Sequence, residues 1–248
     1  MEHYATFRRL SEIAEDQWGL VTSRQAETAG ISRATLQRLA GEGILERIAH
    51  GVYHLMGVPT SNFLELTAAW LQLAPSVLAW NRTPEQGVIS HRSAAALYGL
   101  GHLPADRHDF TLPIRRQSRR HDVRLHRKPL DGNQWVALRG LLVTRPSRIA
   151  ADLLDDGEDA GAVAQVVADA IRAGYDYPGT FADALVPYAG RLGLRHGDGV
   201  GLLRWLLGLT GDPDTPRWIE ETRAQISKGS DAKPSGVVSS VAGKATIP

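Results

Sequence analysis

Glycines at positions 19, 30, 41, 43 and 51 cut the first sixty residues into pieces that cannot run on into one another. His3 to Gln17 carries Phe7, Leu10, Ile13 and Ala14 at steps of three and four, the spacing of an amphipathic helix, and Gly19 ends it. Thr22 or Ser23 can cap the next piece, because a hydroxyl accepts from the free N–H groups of a first helical turn. That helix, Ser23 to Ala29, is short, and Gly30 follows where a left-handed turn suits glycine. Ser32 caps a third helix, Arg33 to Gly41, with Leu36, Leu39 and Ala40 inward. A rotation of about 100° per residue turns Gln37 and Arg38 outward, flanked by Arg33 and Thr35. Two β-rich runs, Ile44 to Ile48 and Val52 to Leu55, then surround Ala49-His50-Gly51 and predict a hairpin.

Helix, short helix, glycine turn, helix, hairpin is the order of a winged helix-turn-helix. The short turn sets two helices at a large angle, so the second can enter a major groove. The candidate DNA contacts are Thr22, Ser23, Ser32, Arg33, Thr35, Gln37 and Arg38 on the helices. Arg47 and His50, with His54 beside them, are the wing candidates. Arg and Gln are side chains that read base edges or hold phosphates. The competing reading is a three-helix packing module with a solvated face, since residues 1–60 hold six Arg against seven Asp/Glu. Residues 32–41, however, carry Arg33 and Arg38 and no acid.

The rest of the chain changes charge along its length. Phe63–Leu73 and His91–Tyr98 read as helices, the second capped by Ser90; strands are expected at 88–89, 110–113, 123–126, 135–138 and 141–143. Thr144 is expected to cap a helix with Pro146 in its first turn. Between 111 and 130 lie Arg115, Arg116, Arg119, Arg120, Arg124, Arg127 and Lys128, against the single acid Asp122. Such a cluster can hold phosphates by counterion release, or contact a protein partner; the plain alternative is a solvated loop. Residues 151–228 reverse the balance, with thirteen Asp/Glu against seven Lys/Arg. They read as four helices, 158–173, 181–191, 199–209 and 215–226, whose acids suit a basic partner or the basic middle segment. The chain is thus an α+β protein, with a winged helix-turn-helix at 1–58, an α+β domain with a helical C-terminal part at 61–228, and a tail at 229–248 too poor in large apolar residues to order itself.

Composition narrows the function classes. Hydrophobic residues at 43% and charged residues at 22% describe an ordinary globular chain. The absence of cysteine excludes disulfides, thiolate zinc sites, iron–sulfur clusters and a cysteine nucleophile, and fits a reducing cytoplasm. The stretch Leu66 to Trp80 is interrupted by Gln72 and Pro75 and falls short of the roughly 20 apolar residues of a spanning helix, so no membrane association is expected. Met-Glu-His-Tyr at the start lacks the features of a signal peptide, and a cytoplasmic location is expected. No phosphate loop, zinc-protease or nucleophile-elbow motif occurs. Asp212-Pro-Asp214 reads as a turn, and the nine histidines are scattered, so neither an enzyme nor a metal or cofactor is expected. A nuclease would need an acid and an acid-x-Lys pair on adjacent strands. Asp231-Ala-Lys233 is the one such triplet, and it falls in the tail.

Four phrases carry a family resemblance. They are Gly51-Val52-Tyr53-His54-Leu55 after Arg47, Ile89-Ser90-His91-Arg92-Ser93-Ala94-Ala95, Phe110-Thr111-Leu112-Pro113, and the run from Leu142 to Leu153. In that order and spacing the chain resembles the AbiEi antitoxins of bacterial type IV toxin–antitoxin systems over about residues 5–155. The resemblance implies a winged helix that binds inverted repeats in its own promoter and represses its operon. It also implies a further domain that neutralises, directly or indirectly, a toxin with a nucleotidyltransferase fold. A stand-alone winged-helix regulator and, further off, an endonuclease-like DNA-binding protein are the alternatives.

Overall fold

The computed structural model describes residues 2–229. The chain opens with α1 (Glu2–Ala14), β1 (Leu20–Thr22), α2 (Ser23–Thr28) and α3 (Arg33–Gly41), followed by β2 (Leu45–Ala49) and β3 (Val52–Leu55). The three strands form one antiparallel sheet in the order β1-β3-β2, the arrangement of a winged helix-turn-helix. Helix α1 stops three residues before the predicted Gln17. Gln17 is instead fully buried, and the turn after it bends through Trp18 and Gly19, both at positive φ. Strand β1 is an element that periodicity missed, because three residues buried on both faces show no alternation.

Leu10, Ala14, Val21, Ala26, Ile31, Leu36, Leu39, Leu45, Tyr53 and Leu55 form a small core of their own. Each fully buried leucine contributes about 1.5–3 kcal/mol by leaving water. Leu20 and Val52 face the other way and join the large core of the remainder. The two regions are therefore packed together rather than strung on a linker.

The remainder holds α4 (Leu64–Leu73), β4 (Val88–Ile89), α5 (His91–Tyr98), β5 (His108–Leu112), β6 (Val123–Arg127), β7 (Trp135–Leu138) and β8 (Leu141–Thr144). Five helices complete it: α6 (Pro146–Asp155), α7 (Ala160–Arg172), α8 (Pro178–Leu185), α9 (Gly199–Thr210) and α10 (Thr215–Gly229). The five strands lie in the order β6-β5-β4-β8-β7, with parallel pairs β5–β6 and β4–β8 and antiparallel pairs β4–β5 and β7–β8. Helix α5 lies against β5 and β8, α6 packs on α5, and α7 to α10 extend outward from α6. The α+β class is thus observed, and beyond α6 the described residues contain helices and no strand.

Three expected caps or helices differ. Thr144 ends β8 and Arg145 is the residue before α6, so the helix starts at Pro146 without a side-chain cap. Ser90 precedes α5, but its hydroxyl turns to His91 Nδ1 (2.9 Å) and Thr111 rather than to the helix. The helix expected over 181–191 divides at Val186 into α8 and a 3-10 turn, because Pro187 has no N–H to continue the ladder. The expected tail lies outside the described residues apart from Gly229, as does the Asp231-Ala-Lys233 triplet. Among the described residues no helix is long and apolar enough to cross a membrane.

Candidate nucleic-acid interface

The candidate interface is built from two helix starts and a hairpin tip. Thr22 caps α2 by accepting from Gln25 N–H (3.1 Å), while the Gln25 side chain accepts from Thr22 N–H (3.0 Å). Thr22 is fully buried, and its hydroxyl donates to the carbonyl of Pro75. This residue is thereby removed from the groove-facing set and is a structural cap. Gly30, at φ +78°, makes the turn into α3. Ser32 then accepts from Thr35 N–H at 3.1 Å, and the two hydroxyls lie 2.9 Å apart. Leu36 and Leu39 hold α3 to the small core, so Arg33, Gln37 and Arg38 stand exposed.

The hairpin turns at His50 and Gly51, the latter at φ +69°. Its tip does not project freely. Ser23 N–H donates to Gly51 carbonyl at 2.8 Å, and Gln72 Nε2 donates to His50 carbonyl at 2.8 Å. The tip is thereby held against the first turn of α2 and the end of α4. Arg47 Nη2 lies 3.1 Å from His50 Nδ1. His54 does not belong to the wing face: it is 2% exposed and packs against Gly19, and burial lowers its pKa, so it stays neutral.

Between the tip and the helices lies a cleft of about 410 Å³. Ser23, Arg33, Gln37, Arg47 and His50 line it, five of the nine helix and wing candidates. Arg24, Gln72 and Pro75 line it too, and sequence reasoning missed them. For Arg24 the available signal was its place beside Ser23 in the first turn of α2; for Gln72 and Pro75 there was none. Ser32, Thr35 and Arg38 sit outside the cleft, on the solvent side of α3.

Acids hold the cations of this face. Glu27 bridges Arg33 (2.6 Å) and Arg24 (3.0 Å), and the hydrogen bond from Arg33, helped by Arg24, holds its carboxyl below the usual range. Glu42 pairs with Arg38 at 2.7 Å, one helical turn on. All these partners are at least partly exposed, so each pair is weak.

The basic run at 115–128 is disposed differently. Arg116 donates to Leu73 carbonyl (2.5 Å), and Arg120 pairs with Asp122 and donates to Gln72 Oε1 (2.6 Å). The Arg120 hydrogen bond holds the Asp122 carboxyl down at about 2. Arg124 grips both oxygens of Asp156 (2.9 and 3.2 Å), and Lys128 reaches Asp155 (2.5 Å) and Asp152 (3.3 Å). Arg115, Arg119 and Arg127 are exposed with no partner among the described residues. Part of the acidic C-terminal third thus complements the basic middle segment inside one chain.

Residues 8–55 match the family described as transcriptional regulator, AbiEi antitoxin. The N-terminal module is similar to that family. The matched span runs from α1 to the end of β3 and includes all the helix and wing candidates; the phrases at 89–153 that carry the wider resemblance to AbiEi proteins lie outside it. No curated protein matches the chain.

Proposed function

We propose that this chain is a cytoplasmic DNA-binding antitoxin of the AbiEi type that represses its own operon. The observation that carries the reading is the cleft in the AbiEi-matched module, where Arg24, Arg33, Gln37, Arg47 and His50 converge from α2, α3 and the hairpin. In this reading α3 lies in the major groove, with Gln37 and Arg38 toward base edges. Arg24, Arg33, Arg47 and His50 hold the flanking phosphate strand in the cleft. Residues 1–58 are the DNA-binding domain, and residues 61–228 carry neutralisation of a nucleotidyltransferase-fold toxin. The exposed Arg115, Arg119 and Arg127 add phosphate or partner contacts.

The test is binding of the full chain to a labelled duplex of the gene's own upstream DNA, against a scrambled duplex, at two salt concentrations. Tight binding that prefers the upstream duplex is expected. Equal, strongly salt-dependent binding to both duplexes would refute the autorepressor and leave a general basic surface.

A further inference from the structure

His91 combines three anomalies at one residue. It opens α5 at φ +52°, a left-handed conformation that bulky side chains rarely adopt. It is 1% exposed. Its Nε2 is buried and has no hydrogen-bond partner, while Nδ1 lies 2.9 Å from the Ser90 hydroxyl. A buried ring nitrogen left unpaired calls for an explanation, because interiors satisfy nearly all such groups. Burial, with the nearby charges of His126, Lys128, Arg124 and Arg148, keeps this imidazole neutral.

Two other side chains meet it. The His126 ring stacks on His91 with centroids 3.5 Å apart and an interplanar angle of 16°. His126 Nε2 is 2.8 Å from Asp109 Oδ1, which leaves Nδ1 as the nitrogen still available for a ligand. A carboxylate behind the ring is the support that metal-bound histidines characteristically have. Asp156, just after α6, places Oδ2 at 3.9 Å from His91 Nε2. One donor atom from each of His91, His126 and Asp156 lies within 4.8 Å of the others.

We propose that His91, His126 and Asp156 form a binding site for a divalent transition-metal cation of the zinc class. Two imidazole nitrogens and one carboxylate oxygen suit zinc, cobalt or nickel better than magnesium or calcium. Donors about 2.1 Å from a tetrahedral metal stand about 3.4 Å apart, so His91 Nε2 and Asp156 Oδ2 need close only slightly. The two rings are stacked nearly parallel, so one cation cannot lie in both ring planes as they stand. Binding therefore requires one ring to turn out of the stack. Asp156 Oδ2 also accepts from Arg124 Nη1 (2.9 Å), so binding exchanges that contact for the cation while Arg124 Nη2 keeps Oδ1 (3.2 Å). The three ligands come from α5, β6 and the end of α6, so the metal would clamp the sheet edge to the helices and leave a fourth position open. The site is remote in sequence from the DNA-reading module, and its test is independent of operator binding.

The experiment uses the full, tag-free chain, stripped with a chelator and titrated with Co²⁺ while visible absorption and the thermal midpoint are followed. One equivalent of Co²⁺ is expected to bind, with visible ligand-field bands and a raised midpoint, and Zn²⁺ is expected to displace it. His126→Ala is expected to abolish the bands. Asp109→Asn, which removes the support but no ligand, is expected to weaken binding by about 10–100-fold. Asp156→Asn, on a partly exposed loop, keeps the test decisive if His126→Ala does not fold, and is expected to weaken binding at least as much. No saturable Co²⁺ binding, or binding unchanged in Asp156→Asn and Asp109→Asn as scattered surface histidines would give, overturns the site.

Discussion

The chain has two arginine-bearing regions, and they spend their charge in opposite ways. In the N-terminal module, Arg24, Arg33 and Arg38 are held by Glu27 and Glu42 at the surface, in pairs made within α2, between α2 and α3, and at the end of α3. In the second region, Arg124 and Lys128 reach from β6 and its end to Asp156, Asp155 and Asp152 on another element. Asp152 is 1% exposed and also takes Arg148 at 2.9 Å. The module that looks weakly charged in sequence presents its cations to solvent. The run that looks strongly basic is partly consumed by the fold. Net charge over a segment is therefore a poor guide to the charge a partner meets; the location of the counter-ions decides.

The largest expected effect tests the structural half of this contrast. Asp152→Ala takes the buried carboxylate from Arg148 and Lys128, which keep Gln134 and the partly exposed Asp155, so the loss approaches but does not exceed the about 3–5 kcal/mol of a broken buried pair. Denaturant unfolding should record that loss; a change below about 1 kcal/mol, the range of exposed pairs, would place the network with the surface pairs and erase the difference. Next comes a paired measurement on DNA. Arg38→Ala is expected to weaken binding to the upstream duplex by about 1–3 kcal/mol, while Arg124→Ala leaves it unchanged. Equal losses in a gel-shift titration would mean that the second region also grips DNA. The smallest effect concerns Glu27. Glu27→Gln releases Arg24 and Arg33 from a surface pair and should tighten DNA binding slightly. Weaker binding of this variant would show that Glu27 instead holds the arginines in their reading positions.

Much of the N-terminal module was legible in the sequence. Ser32 and the bounds Arg33–Gly41 were set by a cap, a glycine stop and the Leu36–Leu39 spacing, all local signals. The hairpin followed from two β-rich runs and Gly51. What failed depended on other segments. Thr22 carries a contact-capable hydroxyl, yet that hydroxyl is buried against Pro75, and no local pattern announces a partner 53 residues away. His54 alternates correctly for a wing, but β1 pairs with β3 and closes over it. Residues 115–128 read as one block because sequence shows charge and not counter-ions. His91, His126 and Asp156 come together only because β5 pairs in parallel with β6 and α6 returns beside them, and pairing partners are not encoded in periodicity.

The joint between the two regions is made of side chains and carbonyls rather than a hinge. Gln25 Nε2 donates to Val77 carbonyl at 3.0 Å, Ala79 N–H to Gln17 Oε1 at 2.9 Å, and Trp18 Nε1 to Arg139 carbonyl at 3.2 Å. Leu20 and Val52 lie in the larger core. The N-terminal module therefore cannot swivel on its own. For two copies on an inverted repeat, the number of base pairs between half-sites would be set by the girth of the whole body, as the wheelbase of a vehicle fixes the gauge of track it can run on.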